Sequence, residues 1–282
     1  MKNPAEQPKN KNQDRLDQIL VGRNLFPSRE SARTAIMDGG ILVNGAKLTK
    51  PGQAVNIDAN IEVVASYVRC LYVSRGGLKL EKALQHFAIA VSGRTCLDAG
   101  ASTGGFTDCL LKAGAAFVYA VDVGYGQLDW SLRSDERVLT VERTNIRFLT
   151  AEKLYGDAPG KVKATLAVAD VSFISVTKIL DSVISLLSEQ EKELVLLIKP
   201  QFEAGREKVG KGGVVREPAV HVEVLQTVMD FGKRQNLKIC GLTYSPLKGP
   251  SGNIEYLLWL KNNGAEQQVS AQATVAEAFA TL

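Results

Sequence analysis

The sequence contains only two histidines and four cysteines, and neither residue type occurs at a spacing that binds metal. No C-x-x-C pair is present, so the sequence predicts neither a zinc site nor a disulfide framework, and we expect no metal. Two of the cysteines, Cys96 and Cys240, lie in apolar, strand-like runs. Buried thiols and a reducing compartment are therefore expected.

Long apolar runs are also absent. The longest are short stretches such as residues 194–198, far from the roughly 20 residues that a membrane-spanning helix needs. Residues 1–14 are polar and contain lysines, with no apolar segment behind them, which is untypical of a signal peptide. We expect a cytoplasmic protein. A chain of 282 residues that is 45% hydrophobic is long enough for one domain of ordinary size and a smaller one.

Positive charge is concentrated at the N-terminus. Residues 1–50 contain nine lysines and arginines against five acidic residues, whereas residues 51–282 contain 25 of each. This asymmetry favours a module that binds a polyanion, attached to a neutral body, although a solvated basic tail gives the same counts.

The residues after Asp14 predict a small α+β domain. Apolar residues at helical spacing predict one helix from Arg15 and a second helix with Ser28 as its N-cap. The Asn44-Gly45 pair between apolar runs predicts a hairpin with a type I′ turn, and two further short strands are expected near 55–57 and 61–64.

Basic residues of this small domain favour contact with phosphate. Arg29 and Arg33 are four residues apart, so they project from one face of the second helix, and guanidinium groups suit phosphate. The order of elements, with an R-x-D-x-x-L opening, an S-R-x-x-A-R stretch and a V-N-G turn, resembles the alpha-L RNA-binding motif. The residues predicted to contact RNA here are Arg15, Arg23, Arg29, Arg33 and Lys47.

The remainder predicts a larger domain in which strands and helices alternate. Strands are expected over 95–99, 117–121, 138–141, 166–169, 194–198, 237–244 and 254–260, and helices from 106, over 176–187 and over 218–235. This alternation predicts a mainly parallel, doubly wound α/β sheet. The last two strands are joined by a loop too short for a crossover helix, so they should form an antiparallel hairpin. The expected boundaries are a disordered tail over 1–14, the small domain over 15–65, a linker over 66–73, the larger domain over 74–261 and a disordered tail over 262–282.

A glycine-rich segment follows the first strand of the larger domain and precedes a helix. Its sequence over residues 98–106 is D-A-G-A-S-T-G-G-F, and its glycines allow the backbone to pass close to a ligand. The dinucleotide fingerprint G-x-G-x-x-G fails because position 102 is serine. Three interpretations remain: the S-adenosylmethionine motif D-x-G-x-x-x-G-G, a hydrolase nucleophile elbow centred on Ser102 with His221 later in the chain, and a turn with a structural role only.

Asp122 favours the cofactor interpretation. It ends a strand about 20 residues beyond the loop, where a carboxylate can hydrogen-bond both ribose hydroxyls of an adenosyl group. A hydrolase needs no acid there, so we expect S-adenosylmethionine as cofactor. Asn145 lies where an adenine contact is usual, although a capping asparagine also fits that position. The predicted cofactor-binding residues are Asp98, Gly100, Ser102, Thr103, Gly104, Gly105, Phe106, Asp122, Val123, Asn145 and Asp170.

A second glycine-rich segment, residues 205–211, matches a P-loop as far as its lysine. Position 212 is glycine, so the hydroxyl that would hold magnesium is absent, and Pro218 comes before the next helix. We interpret the segment as a basic loop that contacts substrate, with a plain flexible loop as the alternative. Arg75, Lys208 and Lys211 are the residues of the larger domain predicted to contact RNA.

Four charged residues are predicted to converge at one edge of the sheet: Lys79, Asp170, Lys199 and Glu255. Asp170 and Lys199 each follow a predicted strand, and functional groups of such folds lie at the carboxyl ends of strands. A ribose hydroxyl is a poor nucleophile at neutral pH, so its methylation needs a base or strict orientation. A lysine acts as a base only after losing its proton, which burial or a second cation favours. Taken singly, each residue is also compatible with a surface ion pair.

Six stretches of the sequence carry a close family resemblance: S-R-G-G-x-K-L, D-A-G-A-S-T-G-G-F-T, D-V-G-Y-G-Q-L, D-V-S-F-I-S, K-P-Q-F-E and G-P-S-G-N-x-E-Y. They are similar to the TlyA family, also called hemolysin A-like proteins, over residues 15–261. The resemblance implies an FtsJ-type, Rossmann-like domain with seven strands, one of them reversed. It also implies 2′-O-methylation of cytidine in ribosomal RNA, and a catalytic Lys-Asp-Lys-Glu tetrad that falls on Lys79, Asp170, Lys199 and Glu255.

Two other functions fit parts of the sequence. A ribosome-associated RNA-binding protein without methyltransferase activity would keep the small domain, but the intact tetrad and cofactor loop argue against it. A membrane-lytic function is suggested only by the family's historical name, and no long apolar or amphipathic segment supports it.

Overall fold

The computed structural model describes residues 12–26, 29–37, 39–64, 71–156 and 162–282. The chain divides into two compact units, residues 1–70 and 71–282. Each unit has its own hydrophobic core.

The N-terminal unit combines two helices with short strands. Its described elements are β1 (Gln13–Arg15), α1 (Leu16–Gly22), α2 (Arg29–Met37), β2 (Ile41–Val43), β3 (Ala46–Lys47), β4 (Ala54–Asn56) and β5 (Ile61–Val63). β1 pairs with β4, and β2 lies between β3 and β5, all antiparallel. Leu16 and Leu20 of α1 and Ile36 of α2 are fully buried in one core, as helical spacing predicts.

The predicted hairpin of this unit is confirmed. Val43 pairs with Ala46, and the two turn residues, Asn44 and Gly45, have φ of 50° and 78°. A type I′ turn requires positive φ at both positions. Ser28, the predicted N-cap of α2, lies outside the described residues, and β1 begins inside the tail expected over residues 1–14.

The second unit is built on a seven-stranded sheet. Its strands are β6 (Thr95–Ala99), β7 (Phe117–Val121), β8 (Val138–Val141), β9 (Leu166–Ala169), β10 (Glu193–Ile198), β11 (Lys238–Tyr244) and β12 (Tyr256–Lys261). The spatial order is β11-β12-β10-β9-β6-β7-β8. β12 runs antiparallel to β10 and β11, and the other neighbours pair in parallel. The predicted final hairpin and single reversed strand are therefore confirmed.

Helices cover both faces of this sheet. They are α3 (Gly76–His86), α4 (Gly105–Lys112), α5 (Trp130–Arg133), α6 (Ala151–Tyr155), α7 (Leu180–Ser185), α8 (Pro200–Glu203), α9 (Pro218–Arg234) and α10 (Ala271–Thr281). β10 shows why both faces need cover: Leu194, Leu196 and Ile198 belong to one core, and Val195 and Leu197 to the other. A strand buried on both faces is apolar throughout, which is typical of parallel sheets.

The disordered tail expected over 262–282 is wrong for most of its length. Ser270 caps α10 by accepting a hydrogen bond from the backbone N of Ala273 at 3.2 Å. Ala271, Val275 and Ala278 of this helix are buried in the core that also contains α9 and β11. Small apolar side chains at helical spacing let α10 lie close to α9, a pattern that alanine-rich composition obscured.

The linker expected over 66–73 is also too long. Residues 65–70 lie outside the described residues, but the chain from Leu71 onward belongs to the second unit. The hydroxyl of Tyr72 donates to Glu81 Oε1 at 2.8 Å, and the backbone N of Val73 donates to Asp108 Oδ2 at 2.8 Å. The side chains of Tyr72 and Val73 pack against the core formed by α3 and α4.

Candidate active site

The four charged residues predicted to converge do lie at one edge of the sheet. Asp170 and Lys199 directly follow β9 and β10, and Lys79 lies in the first turns of α3. Glu255 directly precedes β12, which runs in the opposite direction. Because Ile198 pairs with Tyr256, the residues next to them, Lys199 and Glu255, meet at the same end of neighbouring strands.

The four residues form two ion pairs. Lys79 Nζ lies 2.6 Å from Glu255 Oε2, and Lys199 Nζ lies 2.5 Å from Asp170 Oδ1. Lys79, Lys199 and Glu255 are each less than a tenth exposed, so these pairs are shielded from water, unlike ordinary surface pairs. Burial opposes ionisation of Asp170, but the charges of Lys199 and Lys79 outweigh it and lower the pKa of that carboxyl. Both lysines therefore act on one carboxylate, which joins the two pairs electrostatically.

The glycine loop lies against the residues that follow β9. Gly100, Ser102 and Gly104 have φ of 88°, 49° and 97°, so the chain turns sharply between β6 and α4. A Cβ on Gly100 would lie 2.7 Å from the carbonyl oxygen of Asp170. Only glycine permits this approach. The loop predicted to hold the cofactor is thereby placed beside Asp170.

Asp122, at the end of β7, is oriented by the same loop. Its Oδ2 accepts a hydrogen bond from the backbone N of Ser102 at 2.8 Å, and its Oδ1 accepts from the backbone N of Gly124 at 2.6 Å. Each carboxylate oxygen has a second lone pair, so Asp122 can still accept from both hydroxyls of a ribose. A cleft beside it is lined by Ala101, Ser102, Ala120, Asp122, Gly124, Gln127, Leu128, Thr140 and Glu142. This arrangement fits an adenosyl cofactor.

Asp98 is fully buried beneath the loop. Its Oδ2 accepts a hydrogen bond from the hydroxyl of Thr107 at 2.7 Å, and burial raises the pKa of Asp98 to about 7. The side chain therefore braces the start of α4 from inside the protein.

Other predicted cofactor residues have mixed placements. The Phe106 side chain is buried in the core of α3 and α4, so only its backbone can face a ligand. Asn145 Oδ1 accepts from the backbone N of Arg147 at 3.0 Å and caps the 3-10 helix Ile146–Phe148, the alternative considered for it. The backbone carbonyl oxygen of Thr103 accepts a hydrogen bond from the backbone N of Asp129. Val123, the residue after Asp122, is 67% exposed.

The structure contradicts the hydrolase interpretation. His221 is fully buried, with Nδ1 2.9 Å from the hydroxyl of Tyr256 and Nε2 3.0 Å from the carbonyl oxygen of Val215. Both ring nitrogens are thus engaged, and burial lowers the pKa of His221. A general base must reach its serine, whereas Ser102 is exposed on the loop and its backbone is held by Asp122.

All five residues predicted to bind RNA in the N-terminal unit are exposed, and three of them also make contacts within that unit. Arg15 and Arg29 both contact the fully buried Asp17, with Nη2–Oδ2 distances of 2.9 and 3.2 Å, and these contacts lower the pKa of Asp17, the Arg15 hydrogen bond most. Arg23 donates to the carbonyl oxygens of Ala59 and Ile57, which makes it part of the fold. Arg33 and Lys47 are exposed.

Two of the three basic residues predicted in the larger unit, Lys208 and Lys211, lie in the glycine-rich segment 205–211. Lys208 Nζ pairs with Glu223 at 2.6 Å on the surface, and Lys211 is exposed at the loop tip. Arg75 is half-buried at the start of α3. The segment 205–211 forms a 3-10 turn, Arg206–Lys208, and opens no α-helix, which agrees with the rejection of a P-loop.

Several residues of the site were missed by sequence reasoning. Ser172 Oγ accepts a hydrogen bond from Lys199 Nζ at 2.9 Å, and Phe173 beside it is 92% exposed with φ of 65°. Asn253 is buried and fastens the basic loop, because its Oδ1 accepts from the backbone N of Val215 and its Nδ2 donates to the carbonyl oxygen of Gly213. All three lie inside the sequence stretches that carry the family resemblance, but only coordinates show their contacts.

Neither a metal site nor a membrane span is found in the described parts of the chain. No group of three or more His, Cys, Asp or Glu is placed to hold a metal ion there. None of the described helices is long and apolar enough to cross a membrane.

A seven-stranded sheet with one reversed strand, a glycine loop and an acid after the next strand define a Rossmann-like methyltransferase. A family model described as FtsJ-like methyltransferase matches residues 72–262, and one described as S4 domain matches residues 14–61. The chain belongs to the FtsJ-like methyltransferase family, with an S4 domain before the methyltransferase domain.

Relatives and solved structures agree with this assignment. The chain is 47% identical over 247 residues to the 16S/23S rRNA (cytidine-2′-O)-methyltransferase TlyA of Mycobacterium tuberculosis, which covers 88% of this chain and 89% of that protein. It is 44% identical to Hemolysin A of Brachyspira hyodysenteriae, over 86% of this chain and 98% of that protein. A solved structure described as a hemolysin from Streptococcus thermophilus has 39% identity and a TM-score of 0.74, covering 96% and 97% of the two chains.

Proposed function

We propose that this protein transfers a methyl group from S-adenosylmethionine to the 2′-hydroxyl of cytidine in ribosomal RNA, within ribosomal subunits or their precursors in the cytoplasm. The observation that carries the proposal is the pair of shielded lysine–carboxylate contacts, Lys199 with Asp170 and Lys79 with Glu255, beside the glycine loop. The relatives named for this reaction support the choice of nucleotide.

The cofactor site is formed by the glycine loop and Asp122. Asp122 would accept hydrogen bonds from the ribose hydroxyls of S-adenosylmethionine, while Gly100 and Gly104 keep the loop backbone free of side chains. S-adenosylmethionine supplies a methyl group bound to a positively charged sulfur, which leaves as an uncharged thioether.

Lys199 is the group assigned to the reacting hydroxyl. In its deprotonated form Nζ would accept the proton of the 2′-hydroxyl as the new oxygen–carbon bond forms, and Asp170 holds Nζ in place from 2.5 Å. Glu255 holds Lys79, whose charge also acts on Asp170.

Product analysis tests the proposal directly. The purified protein is incubated with labelled S-adenosylmethionine and ribosomal subunits that lack the modification, and the digested RNA is analysed by mass spectrometry. We expect label in 2′-O-methylcytidine. Label confined to a base-methylated nucleoside, or no transfer at all, would refute the proposal.

A further inference from the structure

The segment after β9 is fastened to the segment after β10 at successive positions. Lys199 Nζ contacts Asp170 Oδ1 and donates to Ser172 Oγ, and the rings of Phe202 and Phe173 lie 5.2 Å apart. The carboxylate of Glu203, at the end of α8, accepts hydrogen bonds from Ser175 and Val176 of the segment after β9.

The contacts of Lys199 restrict the direction in which its amine can act. A lysine ammonium has three N–H donors at tetrahedral angles. Ser172 accepts from one of them at 2.9 Å, whereas Asp170 Oδ1 lies 2.5 Å from Nζ as an ion-pair partner outside hydrogen-bond geometry. The hydrogen bond to Ser172 stops rotation about the terminal Cε–Nζ bond, so the other two positions of Nζ have fixed directions. With the ion pair to Asp170 alone, all three positions could rotate about that bond.

Ser172 lies in a strained segment that needs external support. Phe173, the next residue, has φ of 65°, which costs free energy for a bulky side chain and persists only where neighbours enforce it. Glu203 provides that support: its Oε2 accepts from the hydroxyl of Ser175 at 2.5 Å, and its Oε1 accepts from the backbone N of Val176 at 2.8 Å. Both carboxylate oxygens of Glu203 therefore accept hydrogen bonds from the loop that carries Ser172 and Phe173.

We infer that Ser172 is a positioning residue that, with Asp170, fixes the direction of the Lys199 amine, and that Glu203 holds the loop carrying Ser172 in place. The inference rests on the proposed function, since Lys199 is the group that meets the 2′-hydroxyl there. Neither Ser172 nor Glu203 contacts substrate in this account, and each acts through Lys199.

The first test compares Ser172→Ala with Ser172→Thr. Loss of the hydroxyl frees the amine, so kcat for methyl transfer should fall about 10-fold to 100-fold, with KM for RNA and cofactor affinity unchanged. Threonine keeps the hydroxyl, and the exposed position of Ser172 leaves room for its methyl group, so this variant should recover most of kcat. Ser185→Ala, which removes an exposed hydroxyl of α7, is the matched control. Equal kcat for Ser172→Ala and Ser185→Ala would overturn the inference.

The second test asks whether Glu203 acts through Ser172. Glu203→Gln keeps the shape but replaces one acceptor oxygen by an NH2 donor, so the charge-assisted bond from the Ser175 hydroxyl is replaced by a weaker, reversed one and kcat should fall. If the two residues act as one unit, Ser172→Ala combined with Glu203→Gln should be little worse than Ser172→Ala alone. Glu217→Gln, an exposed position before α9, is the control. Fully multiplicative losses, or a general loss of thermal stability and cofactor affinity, would refute the assigned role.

Lys199→Met separates this inference from the proposed function. If the wild type transfers methyl to cytidine, Lys199→Met fails and Ser172→Ala remains fully active, only the inference is wrong. If the wild type transfers no methyl to ribosomal RNA, the proposed function is wrong and the inference falls with it.

Discussion

Asp98 combines full burial with a place directly beneath the glycine loop, and one of its oxygens has no hydrogen-bond partner among the described residues. Burial raises its pKa to about 7, with the nearby carboxylates of Asp170 and Asp122 adding to the shift. The folded protein therefore holds a proton there that the unfolded chain has released above about pH 4. This carboxyl links the stability of the protein to pH.

The sign of that linkage follows from the raised pKa. The contribution of Asp98 to stability is fully present below the unfolded pKa and is lost as pH rises through about 7. Relative to Asp98→Asn, the free energy of unfolding of the wild type should fall by at most about 1.4 kcal/mol per pH unit in this window. Urea titrations of both proteins at pH 5, 6, 7 and 8 measure it. A difference between the two that does not change with pH would contradict the raised pKa.

At the scale of single elements, α10 is where sequence and structure differ most. Val275 is 2% exposed in the core beside α9, whereas Ala276 is exposed on the same helix. Val275→Asp would bury an unpaired carboxylate and should lower the free energy of unfolding by about 3 kcal/mol or more. Ala276→Asp should change it by less than about 0.5 kcal/mol. Chemical denaturation of the two variants checks this, and equal stability would restore the expectation of a disordered tail.

How far the sequence predicts the elements depends on what stabilises them. β6, β7, β8 and β9 have the predicted bounds because each is an apolar run between polar turns, a local signal. α3 was not predicted because it opens with Gly76 and Gly77, which are poor helix formers, and it is held by packing against α4.

The candidate site was predictable in membership but not in geometry. The motif stretches indicated Lys79, Asp170, Lys199 and Glu255, and the strand ends explain why they meet. The distances within the two ion pairs depend on where α3 carries Lys79 relative to Glu255 and on how β9 and β10 place Asp170 beside Lys199, and no local pattern specifies either placement. The role of Glu203 was hidden for the same reason, since its partners lie 27 and 28 residues away in the chain.

In the whole molecule, we expect the S4 domain to bind RNA and the methyltransferase domain to carry out the methyl transfer. Arg33, Lys47 and Arg23 are all exposed in the S4 domain, but the guanidinium of Arg23 donates to backbone carbonyls of the domain itself. Replacing both Arg33 and Lys47 by glutamate should weaken binding of ribosomal RNA. It should also reduce the salt dependence of binding, because a complex with fewer phosphate contacts releases fewer counterions when it forms.

This charge reversal should leave the cofactor site intact. Affinity for S-adenosylmethionine should be unchanged, and Lys163→Glu, an exposed change just before β9, should leave RNA binding nearly unaffected. Filter-binding titrations between 50 and 200 mM salt and calorimetry with the cofactor provide the two readouts. Unaltered RNA affinity in the double variant would place the RNA contacts elsewhere.

Single-turnover methyl transfer by Lys199→Met tests the catalytic role proposed for the Lys199 amine. Methionine keeps much of the lysine's apolar stem and removes the amine, so the fold and cofactor affinity, measured by calorimetry, should survive. The rate should fall by at least about 10²-fold, the usual scale of general acid–base catalysis, and Lys199→Arg should fail almost as badly because a guanidinium keeps its proton. Lys153→Met, at an exposed position of α6, should transfer methyl at the wild-type rate. A Lys199→Met protein that methylates cytidine at a near wild-type rate would contradict the account.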